Sequence, residues 1–163
     1  MEYTLRPIKH ADREPMVKVF NYFAENSFAA YFSRPVGPEF FERFYRMCVG
    51  YPFLAIETED KQFVGFGCLH PFHAADSFRH TAEVTYFILP EHTGAGLGTR
   101  LLNEFFDWAK RNEISIIIAS ISSKNDQSIA FHKKHGFAET GRLKGIGLKR
   151  GEPFDVVWMQ KSL

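Results

Sequence analysis

Apolar and polar residues alternate from Tyr3 to Ile8, the period of a half-buried strand. After His10-Ala11-Asp12 the period lengthens, and Met16, Val17, Val19, Phe20 and Phe23 recur at helical spacing. Asn26 to Pro38 is turn-rich and aromatic, and Glu39 to Met47 returns to a short helical pattern. Phe53 to Thr58 and Phe63 to Leu69 read as a hairpin around the polar turn Glu59-Asp60-Lys61, with His70 to Phe78 as an irregular loop. Thr81 to Leu89 is strongly strand-like and stops at Pro90. From Leu97 to Arg111 a broad apolar face collects Leu97, Leu101, Leu102, Phe105, Phe106, Trp108 and Ala109. Ser115 to Ile121 is a continuous β-branched run, which predicts a strand buried on both faces. Asn125 to His135 reads as a short helix closed by Gly136. Two strands, about Phe137 to Gly147 and Phe154 to Gln160, then turn around Arg150-Gly151-Glu152-Pro153. The pattern predicts one mixed α/β domain over residues 1–163, without repeats or linkers.

Composition narrows the function classes. Twenty Lys and Arg against nineteen Asp and Glu leave a net charge of +1, so the chain lacks the electrostatic footprint of a nucleic-acid binder. No segment has the length and apolarity of a membrane span or a signal peptide, so no membrane partner is expected. Cys48 and Cys68 show no CxxC spacing and read as reduced thiols of a cytoplasmic protein. Eighteen Phe supply either an aromatic core or an aromatic-lined pocket; the sequence leaves both open.

The most informative stretch is Pro90-Glu91-His92-Thr93-Gly94-Ala95-Gly96-Leu97-Gly98-Thr99, between a strand and an amphipathic helix. A helix start offers unpaired N–H groups and partial positive charge, and nearby glycines let backbone wrap an anion. The natural occupant is a pyrophosphate. A Walker loop would need Gly-Lys-Ser/Thr, and a dinucleotide fingerprint would need glycine where Thr99 stands; neither is present. A flexible turn is the alternative.

Here the chain resembles the GNAT superfamily of acetyltransferases, which carries Arg/Gln-x-x-Gly-x-Gly/Ala in this turn. Gly96-Leu97-Gly98 matches the glycine half, while Thr93 stands where Arg or Gln is usual. Within the superfamily the chain looks like the phosphinothricin and methionine sulfone (sulfoximine) acetyltransferase branch. The match is carried by Phe20-Asn21, Tyr51-Pro52, Thr81-Ala82-Glu83, His92, Asn125, Ser128, His132, Gly136-Phe137, Lys149, Gly151, Asp155 and Gln160. The resemblance covers nearly the whole chain. It implies a largely antiparallel central sheet flanked by helices, acetyl-coenzyme A as cosubstrate, an amino-acid-like amine as acceptor, and a homodimer. It also places the coenzyme against Phe87, Ile88 and Leu89, against Gly94, Ala95, Gly96, Leu97, Gly98 and Thr99, and against Asn125 and Ser128, with the Phe87 N–H as oxyanion donor.

An attacking amine must lose a proton, and the thioester carbonyl needs a donor as negative charge develops. Glu83 matches the carboxylate to which the family assigns proton removal; the alternative is a solvent-facing Glu on an edge strand. His132 stands where many superfamily members carry a Tyr general acid, and imidazole can give or take protons near neutrality. The alternative is a histidine packed at a helix end. Arg79 precedes Glu83 on the same strand, where a guanidinium could pair with a substrate carboxylate, and His80 and Phe32 would line the same pocket. The histidine pairs His70/His73 and His132/His135 have no third ligand motif, so no metal is expected. Two other readings stay open: acetylation of a protein or peptide amine, and a coenzyme A-binding module without catalysis.

Overall fold

The structure is a computed structural model describing residues 1–163. Its elements run β1 (Tyr3–Pro7), α1 (Arg13–Asn26), α2 (Glu39–Met47), β2 (Phe53–Thr58), β3 (Phe63–Pro71) and β4 (Thr81–Ile88). After these come α3 (Leu97–Arg111), β5 (Ile116–Ser122), α4 (Asp126–Lys134), β6 (Ala138–Lys149) and β7 (Glu152–Ser162). The strands form one sheet in the order β1-β2-β3-β4-β5-β7-β6, and every neighbouring pair is antiparallel except β4–β5.

Strand alternation sorts the side chains into two cores. Phe53, Phe66 and Cys68 face α1 and α2, where they pack with Met16, Phe20, Phe40 and Phe41. Ile56, Leu69, Val84, Ile117, Ala119 and Ile121 face the other way, onto the α3 stripe of Leu97, Leu101, Leu102, Phe105 and Ala109. Gly67 lets α3 lie close on the sheet: a Cβ there would stand 3.1 Å from Leu101 and Tyr86 and 3.2 Å from Phe105.

The sequence pattern and the structure differ mainly at element ends. β3 continues through His70 and Pro71, which had read as loop, because both lie in register with β4 (His70↔Glu83, Pro71↔Ala82). Only a short 3-10 turn, Asp76–Phe78, interrupts the rest of that loop. β5 is half-buried rather than covered on both sides: Ile117, Ala119 and Ile121 are buried, whereas Ile116, Ile118 and Ser120 are intermediate. β6 and β7 are longer than the pattern suggests. They meet in a tight turn whose Arg150 (φ 53°) and Gly151 (φ 74°) are both left-handed, the geometry that keeps two twisted strands paired. No helix is long and apolar enough to cross a membrane.

Candidate active site

The one parallel pairing creates the site. β4 and β5 are in register only at Thr81↔Ile116, Ala82↔Ile117 and Glu83↔Ile118, and then they diverge. Their first residues are close because the Ser115 and Ile116 amides both donate to the His80 carbonyl. Beyond Glu83 the sheet opens into a cavity of about 250 Å³. Glu83, Thr85 and Phe87 line it from the α1/α2 side, together with Tyr31, Phe32 and Ser120. Tyr86 lines it from the α3/α4 side, with Asn125, Ser128 and His132. The cavity therefore passes through the sheet and can admit one reactant from each face.

Backbone direction corrects one sequence expectation. The Phe72 amide donates to the Thr81 carbonyl, so in the unbroken β3–β4 register the amides of Glu83, Thr85 and Phe87 also point to β3. The Phe87 amide is thus committed to Phe66 across the ladder and does not face the opening. Even-numbered residues turn toward β5, as the His80 carbonyl does, and past the last bridge the amides of Tyr86 and Ile88 have no strand partner. An amide donor aimed into the opening comes from Tyr86. Side chains and amides obey the same two-residue alternation but point in perpendicular directions, which is why the face of Phe87 did not predict its hydrogen bond.

Glu83 sits on a central strand, not an edge. Burial alone pushes its carboxyl up to about 7. No Lys or Arg lines the cavity to oppose that shift. Tyr31 lies above it, with its hydroxyl 2.8 Å from the Ser120 hydroxyl. Burial and the Glu83 charge raise the Tyr31 phenol, against the hydrogen bond to Ser120.

His132 is buried on α4, and its Nδ1 lies 2.7 Å from the Ser128 carbonyl oxygen. A carbonyl only accepts, so Nδ1 carries the proton. Burial drives the imidazole down to about 4, partly offset by that carbonyl, and the ring is neutral at pH 7. Nε2 then has only a lone pair, which accepts the hydrogen bond from the Tyr86 hydroxyl. Nε2 therefore carries no proton of its own and holds the Tyr86 hydroxyl, and both residues line the cavity.

The glycine turn fits an anion. Gly94 (φ 81°) and Gly96 (φ 75°) are left-handed, and a Cβ at either would meet nothing within 4 Å, so the backbone there is bare. None of the amides from Gly94 to Thr99 donates to another backbone group, and Gly96 caps α3 without a side-chain acceptor. Thr93, in the place of Arg or Gln, spends its hydroxyl on the Pro90 carbonyl (2.7 Å). Thr99 is tied to His135 Nε2 (3.0 Å), and a Cβ on Gly98 would stand 3.0 Å from Phe131, so the turn is braced against α4. Leu97 points into the core, and Ile88 and Leu89 carry β4 toward the turn without lining the cavity.

Asn125 caps α4, its side chain accepting from the Ser128 amide at 3.2 Å, and both residues line the cavity. Phe32 lines it too, whereas Arg79 and His80 are exposed and do not. The sequence reading omitted Tyr31, Tyr86 and Ser120. Tyr86 was legible from strand alternation beside Glu83, but Tyr31 reaches the site from a turn-rich segment with no periodic signal. The structure has no group of three or more His, Cys, Asp or Glu side chains placed to hold a metal ion.

Residues 20–137 match the acetyltransferase (GNAT) family. A curated relative, the L-methionine sulfoximine/L-methionine sulfone acetyltransferase of Salmonella typhimurium, is 31% identical over 98% of this chain and 94% of its own. A solved phosphinothricin acetyltransferase from Sinorhizobium meliloti, in complex with AcCoA, superposes with a TM-score of 0.92 at 28% identity, covering 100% of this chain and 89% of that one. A ribosomal-protein-alanine N-acetyltransferase from Brucella melitensis superposes with a TM-score of 0.88 at 33% identity, covering 98% and 99%.

Proposed function

The chain belongs to the GNAT family of acetyltransferases, and from that premise we propose that it acetylates the primary amine of a small amino-acid-like acceptor, with Glu83 as general base. The observation that carries this reading is a half-buried carboxyl with no cation beside it in the cavity, raised to about 7, at the point where β4 and β5 part. Acetyl-coenzyme A supplies the activated acetyl as a thioester, and the bare turn from Gly94 to Thr99 suits its pyrophosphate.

A carboxyl with this pKa is about half ionised at pH 7, so it takes a proton from an ammonium group near neutrality. The Tyr86 amide points into the same opening and is the donor for negative charge on a carbonyl oxygen. On the opposite side the Tyr86 hydroxyl keeps its proton, held on the lone pair of His132 Nε2. His132 acts in this scheme through Tyr86 as a positioning residue. The acceptor enters from the α1/α2 side, where Tyr31 and Phe32 narrow the mouth.

The names of the Salmonella and Sinorhizobium relatives favour methionine sulfone, methionine sulfoximine or phosphinothricin as acceptor types. The Brucella relative's name favours a second acceptor, the amine of an N-terminal alanine. We further propose a cytoplasmic homodimer. β6 is an edge strand whose Leu143, Ile146 and Leu148 are exposed, a surface that invites pairing.

The test follows thiol release from acetyl-coenzyme A across those compounds, ordinary amino acids, polyamines and an alanine-initiated peptide, with Glu83→Gln alongside. Turnover on the sulfone-type acceptors, lowered roughly 10²–10⁴-fold in the variant, is the expected result. Turnover confined to the peptide would move the assignment to protein N-termini. A variant as active as the parent would remove Glu83 as the base.

A further inference from the structure

The aromatic wall of the cavity has a second side. Phe32, Phe40 and Phe44 line the through-sheet cavity and also an adjoining pocket of about 370 Å³, whose remaining walls are Arg43, Arg46 and Met47. On α2, Phe40, Phe44 and Met47 follow helical spacing and share one stripe, with Arg43 and Arg46 along its edge. Phe32 and Met47 are exposed large apolar residues at this mouth, 42% and 37% accessible. Neither Arg43 nor Arg46 makes an ion pair, although α2 forms one nearby between Arg13 and Glu42. An exposed aromatic slot flanked by two unpaired guanidinium groups has the chemistry of a site for an anion on an apolar stem.

The cavity beside Glu83 contains no Lys or Arg, and the exposed Arg79, which the sequence offers as a carboxylate partner, does not line it. The cations that share a wall with this cavity, Arg43 and Arg46, stand beyond the phenylalanines. The carboxylate of an α-amino acid is too close to its own amine to cross a wall one aromatic ring thick, since packed rings stand about 4.5–7 Å apart. The group that reaches Arg43 and Arg46 is a distal one.

Resting on the acetyltransferase reading above, we propose that Arg43 and Arg46 form a specificity subsite for a distal oxyanion of the acceptor, a phosphinate, phosphonate, sulfonate or side-chain carboxylate. The amine then lies at Glu83, an apolar spacer runs past Phe32, Phe40 and Phe44, and the oxyanion meets the guanidinium groups. Selectivity arises at the α2 end of the slot, and the chemistry stays at β4.

The test compares an acceptor with an anionic distal group, phosphinothricin, with one whose distal group is neutral, methionine sulfone. The double variant Arg43→Gln/Arg46→Gln is made at two exposed positions, and its fold is checked by thermal melting. The expected result is a loss of roughly tenfold or more in kcat/KM for phosphinothricin, borne by KM, as suits removal of charged hydrogen bonds. For methionine sulfone the change stays within about twofold, and the KM for acetyl-coenzyme A is unmoved. Equal losses on both acceptors, or none on either, would overturn the subsite. Phosphinothricin is also titrated by calorimetry into the coenzyme A-saturated protein, parent and variant. If the parent acetylates neither compound, the acetyltransferase assignment for these acceptors fails, and the titration still decides the subsite. Weaker binding by the variant supports it; equal binding, or none by the parent, removes it.

Discussion

At the scale of the residue, Glu83 and His132 both stand far from their ordinary ionisation, and for the same reason: burial penalises the charged form. The consequences for stability have opposite signs. The folded chain holds a proton on Glu83 up to about pH 7, whereas the unfolded chain releases it near 4.3, so stability falls as pH rises through that window. His132 resists protonation down to about 4, whereas the unfolded chain takes a proton up near 6.5, so stability falls as pH drops through that window. Where the windows overlap the two slopes oppose each other. Glu83→Gln is accordingly expected to raise the melting point at pH 8, by about 2 kcal/mol in stability, and to change little near pH 4. The parent's rate rises with pH through about 7, and the variant lacks that limb and keeps only the acceptor's own ionisation. At the second site, Tyr86→Phe and His132→Asn probe one unit. Each is expected to lower kcat about 10- to 100-fold with KM for acetyl-coenzyme A little changed, and the double variant costs no more than the worse single. Additive losses measured by steady-state kinetics would mean that the two groups act separately. The sequence identified Glu83 and His132 by resemblance, but the tautomer of the imidazole depends on the Ser128 carbonyl one turn back, which only the helix positions.

Among the elements, the segment between α1 and α2 does most to shape the acceptor side, and it has no regular structure of its own. Lys149, at the end of β6, holds it. That side chain is 2% exposed, and its Nζ donates to the carbonyls of Ser27 (2.6 Å) and Ala30 (2.8 Å). Burial lowers its pKa, and nothing acidic pairs with it. Ala29, Ala30, Tyr31 and Phe32, all within or next to the clamped stretch, line the cavity. Lys149→Met removes both hydrogen bonds and leaves two carbonyls unsatisfied, a loss of about 1–3 kcal/mol. Acceptor KM is expected to rise several-fold while the KM for acetyl-coenzyme A holds, since the glycine turn lies on the opposite face. Lys149→Arg, which can still donate, is expected to recover part of the acceptor affinity. A loss of kcat alone, with both KM values intact, would contradict this role. Helix α3 was fully legible, because its buried stripe repeats at 3.6 residues and its glycine start is written in the chain. The clamp was not legible, because Lys149 and Ala30 are joined only by folding.

On the scale of the whole molecule, seven strands and two separate aromatic and aliphatic cores leave β1 and β6 as edges. β6 spans twelve residues, and Ile146 and Leu148 are 60% and 74% exposed. If this edge joins two copies, Ile146→Glu/Leu148→Glu will shift sedimentation from dimer to monomer, and a parent that sediments as a monomer would end the proposal. The sequence by itself determined the order and type of the strands and helices, though not all their ends, since periods of 2 and 3.6 are local properties of side-chain direction. It also placed the glycine-rich turn at the start of α3, where the glycines and the absence of competing side chains are visible residue by residue. Tertiary structure alone decided that β4 and β5 part after Glu83, that Tyr86 rather than Phe87 turns its amide into the gap, and that Arg79 stays outside. Those outcomes depend on which strand lies beside which. Pairing partners are set by contacts between residues distant in the chain, such as Glu83 with Ile118 and Lys149 with Ala30, and no local pattern encodes them.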